Sequence, residues 1–321
     1  MDWVSSNSSY RRFVNTFSSV WRSRVLSAFT GDRQGRPDWI DEIELGDDAG
    51  FFGVGSAAWA VHGGMPTLVA GIRALLMQTL HPGAMAGVRD WSRYKEDPLG
   101  RLSGTIQWLI GVTFSDTAMA IRESNRVERF HDRVRGTYFD ANGVERPYWA
   151  GDPELLSWVH VVFTDAFLGS HAIWGGPIPG GPDRYVGEWT KAGELIGVPS
   201  PPATEAELRS QLEAFRAAGT LKSDEHVADA VRFIRHPGIA PGMRPAYRIL
   251  FGGAVASIPR EYRKLLGLRR PWWPAITLTR AVLALVGSIL GRSSTSEDAA
   301  RKRLARLGLL PTTGEDVRRV G

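Results

Sequence analysis

The sequence predicts a mainly α-helical protein built as a single large helical domain, and three observations carry that prediction. Between its proline and glycine punctuation, apolar residues recur at a spacing of three to four and seldom of two. The only credible sheet signal is Asn142-Gly143, set between two aromatic-containing runs within 137–150. With 321 residues, 43% hydrophobic and 23% charged, the chain has ordinary globular composition and can bury one large core or two modest ones. No repeat period and no convincing linker divides it.

The elements follow in order. "SSYRRFVNTFSSVWRSR" pairs Arg11-Arg12 with Phe13 as an export signal would, but Arg22 and Arg24 interrupt any apolar stretch. It reads as an amphipathic helix within an N-terminal helical extension, 1–40, and the protein is expected in the cytoplasm. Gly53-x-Gly55-x-x-Ala58 matches a dinucleotide fingerprint on paper, yet "ELGDDAG" precedes it where a strand is needed, so these glycines read as a turn entering a helix. Pro66 starts a helix whose stripe is Leu68, Val69, Ile72, Leu75, Leu76 and Leu80, ending at His81-Pro82. Helices follow over 103–114 and 115–136, the second closed by Gly136 as its C-terminal glycine.

"DPELLSWVHVVFTDAFLG" begins with Asp152 as cap and Pro153 in the first turn, and Gly169 reads as its stop. "GGPIPGGP" is a rigid crossing, followed by a helix ending near Gly197, a capping box of Thr204 and Glu207, and a helix near 229–235. The core would extend over 41–265, with a C-terminal helical segment, 266–321, packed on it. In that segment "WPAITLTRAVLALVGSILG" falls short of a span of about 20 apolar residues and carries Arg280 at its centre, so it reads as a buried helix. Trp272, Trp273 and the basic "YRKLLGLRR" before it keep peripheral membrane contact open.

Composition excludes several chemistries. Without cysteine there is no disulfide, thiolate nucleophile or Cys-ligated metal. The net charge is only +5, from basic residues spread along the chain, which gives no support to nucleic-acid binding. No G-x-S-x-G elbow and no H-E-x-x-H pair is present. Glu128-x-x-His131 is half of a di-iron carboxylate pattern, and the second half is missing, so a di-iron oxygenase stays a minor alternative.

His131 in "ERFHDRVRG" is the most informative histidine. Ile121, Ser124, Val127, His131 and Val134 fall on one stripe, with Arg126, Arg129, Arg133 and Arg135 mostly off it, so the imidazole points inward. A lone inward histidine is ordinarily a satisfied core residue. Flanked by arginines, it also has the character of an axial ligand to haem iron, the guanidinium groups serving the propionates. His160, beside Leu156, Phe163 and Phe167, is the rival ligand, and His81 a third. His62, His171, His226 and His236 show no comparable inward helical setting.

The succession "LMQTLHPGAMAGVRDWS", "RLSGT", "RVERFHDRVRGTY" and "YWAGDPELLSWVHVVFTDAF" resembles the rubber-oxygenase/MpaB family over roughly residues 45 to 265. The resemblance implies a globin-like helical core holding haem b through one axial histidine, with dioxygen used to cleave a carbon–carbon double bond of an isoprenoid. Arg101-Leu-Ser-Gly-Thr105 matches the family's distal Arg-x-x-x-Thr element, and His131, 26 positions after Thr105, matches the ligand histidine. Where the rubber-cleaving members carry a lysine, this chain has Gly104, so iron closure by that side chain is unavailable.

On this resemblance His131 is the metal ligand, Arg101 and Arg135 are cofactor-binding, and Arg101, Thr105 and His160 are catalytic candidates. An apolar lining from Trp108, Trp158, Phe163 and Phe167 would suit a hydrophobic small molecule. The reading is therefore a haem-dependent oxygenase acting on a hydrophobic, isoprenoid-type substrate with dioxygen. A non-catalytic haem or lipid carrier is the alternative, and homo-oligomerisation is left open.

Overall fold

The computed structural model describes residues 38–91, 98–290 and 294–310. The expected N-terminal amphipathic helix lies outside them. The described chain forms fourteen α-helices and one two-stranded sheet. In order these are α1 (Trp39–Leu45), α2 (Ala57–Gly63), α3 (Thr67–Gln78), α4 (Pro82–Trp91), α5 (Pro98–Phe114), α6 (Thr117–His131), β1 (Arg135–Phe139), β2 (Glu145–Trp149), α7 (Pro153–Trp174), α8 (Gly181–Leu195), α9 (Glu205–Ala217), α10 (Glu225–Arg235), α11 (Arg244–Ser257), α12 (Arg260–Leu265), α13 (Ala275–Leu290) and α14 (Thr295–Arg306).

The antiparallel pair α3 and α7 forms the centre. α11 and α10 cover α3, while α9, α8 and α2 cover α7, and α13 lies outside α11. The α5–α6 hairpin joins this centre through α2 and α8, with α1 and α14 closing its side. One apolar core runs from Ile40 to Leu304. α3 starts after Pro66 and stops before His81-Pro82, as its sequence predicts. It is buried on most sides through Val69, Ala70, Ile72, Ala74, Leu76 and Met77, whereas Leu68 and Leu75 are only partly covered.

α7 is where local reading fails. Asp152 caps it by accepting from the Glu154 N–H at 2.8 Å, with Pro153 in its first turn. The helix then runs through Gly169 to Trp174. Gly169 is required by a tertiary neighbour: a Cβ there would lie 2.2 Å from Nη1 of Arg73. The Arg73 guanidinium, 4% exposed, passes across this bare backbone to donate to the Asp165 carboxylate at 2.6 Å. At the other end of the pair the Trp158 indole donates to the Gln78 carbonyl at 3.2 Å, fixing the register of the two helices.

Gly136 is a second glycine with a different duty from the expected one. α6 ends at His131, and Gly136 pairs with Tyr148 in the hairpin, where a Cβ would stand 2.8 Å from the Tyr148 ring. The hairpin itself turns at Gly143, with φ 78°, while the Asp140 carboxylate accepts from the N–H groups of Asn142 and Val144. The stripe expected on α6 is also displaced. Ile121 is exposed, and the helix buries Met119, Ala120, Glu123 and Ser124.

At α9 Thr204 accepts from the Glu207 N–H as expected, while the Glu207 carboxylate reaches one residue further back and accepts from the Ala203 N–H. The glycines at 53 and 55 make the expected turn into α2, with Ser56 as its cap. α13 packs on α11 by one face only, where the chain was expected to bury it whole. Thr279 donates to the Ile249 carbonyl and lies against Gly253. No single described helix is long and apolar enough to cross a membrane.

Gly169→Ala forces a methyl into the Arg73 guanidinium and should destabilise the fold by about 1–3 kcal/mol. Gly71→Ala, on α3 with open space at its Cβ, should be neutral or stabilising by about 1 kcal/mol. Urea denaturation of the two variants checks both, and equal effects would deny Gly169 its tertiary role.

Candidate functional site

The hairpin of α5 and α6 carries the residues that the sequence ties to chemistry. Asp116 caps α6 by accepting from the Met119 N–H at 2.9 Å, and its second oxygen accepts from the Asp47 N–H at 3.1 Å. The Trp108 indole donates to the Ser124 hydroxyl at 3.2 Å, and Arg126 pairs with Glu123 at 2.8 Å while donating to the Gly104 carbonyl at 3.1 Å. These contacts define the register. Arg101 stands seven residues before Trp108, and His131 seven residues after Ser124. At equal rise along antiparallel helices, the Arg101–Thr105 turn and His131 reach the same end of the hairpin.

His131 is the last residue of α6 and is half-buried. Its side chain makes no hydrogen bond to any other described residue. Burial lowers its pKa below the usual 6.5, against a smaller opposing pull from Asp132. The imidazole is therefore neutral at pH 7 and able to donate a nitrogen lone pair. Arg135 is turned away onto the sheet: its Nε donates to the Asp132 carbonyl at 3.2 Å, and its guanidinium lies 5.1 Å from the Trp149 ring centre. Arg129 and Arg133 are exposed and have no ion-pair partner among the described residues.

His160 is not brought to this place. It is buried on α7 against α8, its ring close to Gly193, where a Cβ would stand 2.9 Å from Cε1. Its Nε2 is buried without a hydrogen-bond partner, and burial lowers its pKa to about 4. His81 is equally enclosed, among Tyr138, Trp158 and Phe215, with Nδ1 accepting from the Gly83 N–H and Nε2 3.7 Å from the Glu154 carboxylate. Of the four aromatics expected to line one pocket, Trp108, Phe163 and Phe167 are linked through Trp189 and His62, whereas Trp158 packs with His81 and Phe215. Trp158 meets Phe215 edge-on, Phe163 and Phe167 stack on each other, and Trp108 meets Trp189 edge-on.

The structure also assembles a polar group that the sequence reading missed. His62 and His171 are both helical and buried, contrary to expectation. α2 is too short to show a period, and His171 lies beyond the false stop at Gly169. His62 Nε2 is 3.2 Å from the Tyr185 hydroxyl, and its ring is packed among Phe167, Tyr185 and Trp189. Burial, reinforced by His171, lowers the His62 pKa to about 3. Tyr185 is pushed well upward by burial and, less, by Asp165, the partner of Arg73.

Described residues form surface clefts, two of which are well defined. One of about 460 Å³ is lined by Phe51, Phe52, Arg184 and Lys191 among others, and one of about 330 Å³ by Met85, Arg89, Tyr138 and His226 among others. Neither includes Thr105 or His131. No cluster of three or more histidine, aspartate or glutamate side chains able to hold a metal occurs among the described residues. Glu128 is exposed, and the di-iron pattern gains no second half there.

Residues 59–288 match a protein-family model described as ER-bound oxygenase mpaB/B'/Rubber oxygenase, catalytic domain. The chain belongs to this family. The match opens at Trp59 in α2 and closes at Ser288 in α13, so the oxygenase catalytic domain takes in the α3–α7 centre and the whole α5–α6 hairpin. No curated protein and no solved structure matches the chain.

The neutral histidines set a pH dependence. The unfolded chain protonates His62 and His160 near pH 6.5, whereas the folded chain resists until about 3 and about 4. The stability they contribute is thus complete above pH 6.5 and is lost as pH falls below it, by about 1.4 kcal/mol per pH unit for each group. Urea midpoints measured between about pH 7 and about pH 5 should fall, and His160→Gln should flatten that slope. An unchanged slope in the variant would mean that His160 titrates alike in the folded and the unfolded chain.

Proposed function

We propose that this oxygenase-family chain uses haem b, held through His131, and acts with dioxygen on a hydrophobic, isoprenoid-type small molecule. The observation that carries the reading is the convergence of the Arg101–Thr105 turn with a neutral, half-buried His131 at one end of the α5–α6 hairpin. The donor chemistry suits the group. A single imidazole nitrogen is a sufficient protein ligand when a porphyrin supplies the rest, which is consistent with the lack of a larger ligand cluster among the described residues.

Haem, when bound, supplies the redox-active iron that activates dioxygen. The chain's own part is to hold and orient. His131 gives an uncharged ligand because burial keeps its proton off. Thr105 brings a hydroxyl to this end of the hairpin, and the family's Arg-x-x-x-Thr pattern makes Arg101 the second donor for dioxygen or a carboxylate. Arg129 and Arg133 are better candidates for propionate pairing than Arg135, whose guanidinium is engaged by the sheet. The family description names rubber, a polymer of isoprene units, and this supports an apolar alkene as the substrate class.

An absorption spectrum of the purified protein, ferric and then reduced under carbon monoxide, should show a Soret band that His131→Ala removes or strongly shifts. His160→Ala should retain it. A band surviving in the first variant and vanishing in the second would transfer the ligand to α7. Oxygen uptake dependent on an added alkene distinguishes the oxygenase from a haem carrier, which would consume none.

A further inference from the structure

The outward face of α13 is uncharged except at its edge, where the exposed Arg280 turns its guanidinium to the Ile173 carbonyl. Ala275, Thr279, Leu283 and Val286 are buried on one side. On the other, Thr277, Leu278, Ala281, Ala284, Leu285 and Ser288 are exposed, Leu278 by 42% and Leu285 by 60%. A surface helix ordinarily opposes its apolar stripe with polar and charged residues. Immediately before the helix, Trp272 is 96% exposed, the most exposed large apolar side chain among those described. Its neighbour Trp273 is anchored, its ring filling the space that a Gly252 side chain would occupy.

The charge around this face is equally uneven. Residues 260–290 hold Arg260, Arg263, Lys264, Arg269, Arg270 and Arg280 against Glu261 alone, a surplus equal to the +5 of the entire chain. The remainder is balanced. Arg263 and Arg280 donate to the carbonyls of Ile258 and Ile173 at 2.7 and 2.6 Å. Lys264, Arg269 and Arg270 are exposed and have no ion-pair partner among the described residues.

We propose that the 267–274 loop and the outward face of α13 form a docking surface for an anionic phospholipid bilayer. Trp272, Leu278 and Leu285 enter the boundary of the acyl chains, and Lys264, Arg269 and Arg270 engage headgroup phosphates. A helix of 16 residues with Arg280 within it is too short to span and lies in the plane of the interface. Charge selects this occupant. A second copy would place the same basic surplus against itself, and the chain's N-terminal segment, 1–37, holds six arginines against two aspartates. The surface is independent of the haem assignment and would bring the protein to where apolar substrates dissolve.

Flotation with vesicles tests it. The full-length protein should bind vesicles of equal phosphatidylcholine and phosphatidylglycerol, bind phosphatidylcholine alone at least tenfold more weakly, and dissociate as salt is raised. Arg269→Glu with Arg270→Glu should abolish binding, and Trp272→Ser with Leu285→Ser should weaken it about tenfold or more, with urea midpoints unchanged. Absence of wild-type binding, or full binding in both variants, overturns the proposal. So does loss through Arg11→Glu with Arg12→Glu alone, which would move the contact to the N-terminal segment. Concentration-dependent dimerisation abolished by Trp272→Ser would give the face to a second copy.

Discussion

The fold depends on one ion pair between its two central helices, the buried Arg73 with the partly buried Asp165. An isolated guanidinium in a core is untenable, and removing one partner of such a pair costs about 3–5 kcal/mol, whereas replacing both by apolar groups can cost nothing. Its value therefore lies in what it forbids. Only the antiparallel register that sets Arg73 across the bare backbone of Gly169 lets the guanidinium reach Asp165. A slip of one turn along α7 would bury the charge against side chains. Trp158 and Gln78 hold the same register from the other end.

From that pair outward, polar groups are arranged as a consequence. The Asp165 charge reaches Tyr185, the Tyr185 hydroxyl meets His62, and His62 feels His171. Each of these groups sits where charge is expensive, so the histidines are neutral and the tyrosine keeps its proton. A similar economy governs the α5–α6 hairpin. The Asp116 carboxylate satisfies both a helix N-terminus and the Asp47 N–H, and the fully buried Arg303 of α14 donates to the carbonyl of Ile43, sealing the adjoining loop. The hairpin end that carries His131 is held by Trp108, Ser124, Glu123 and Arg126, with no help from His131 itself.

Features decided within one turn of chain were legible in the sequence. The Asp152 and Thr204 caps, the proline starts, the Asn142-Gly143 turn and the helix break at His81 all depend on local hydrogen bonds or torsions, and all appear. Features decided by distant partners were not. Gly169 and Gly136 look like stops because glycine ends helices, yet their lack of a Cβ answers to Arg73 and Tyr148. Arg73 in an otherwise apolar helix was a usable signal, since a charge in a buried stripe demands a partner, but nothing local names a carboxylate 92 residues away. The motif succession made the family readable, while the inward face of His131 was argued from a stripe that includes the exposed Ile121.

Burial and access make opposite demands on a histidine that must hold an exogenous group. Burial is needed to keep the imidazole deprotonated, and access is needed for its nitrogen to be reached. His62, His81 and His160 satisfy the first demand more fully than His131, but their rings are enclosed by aromatic neighbours or by α8, with His81 Nε2 directed to the Glu154 carboxylate and the unpartnered Nε2 of His160 set against Gly193. Using any of them as a ligand would require opening the α3–α7 centre or the α7–α8 contact. His131, half-buried at the end of a hairpin whose register is fixed elsewhere, meets both demands at once. The least buried of these four helix-end and core histidines is for that reason the strongest ligand candidate.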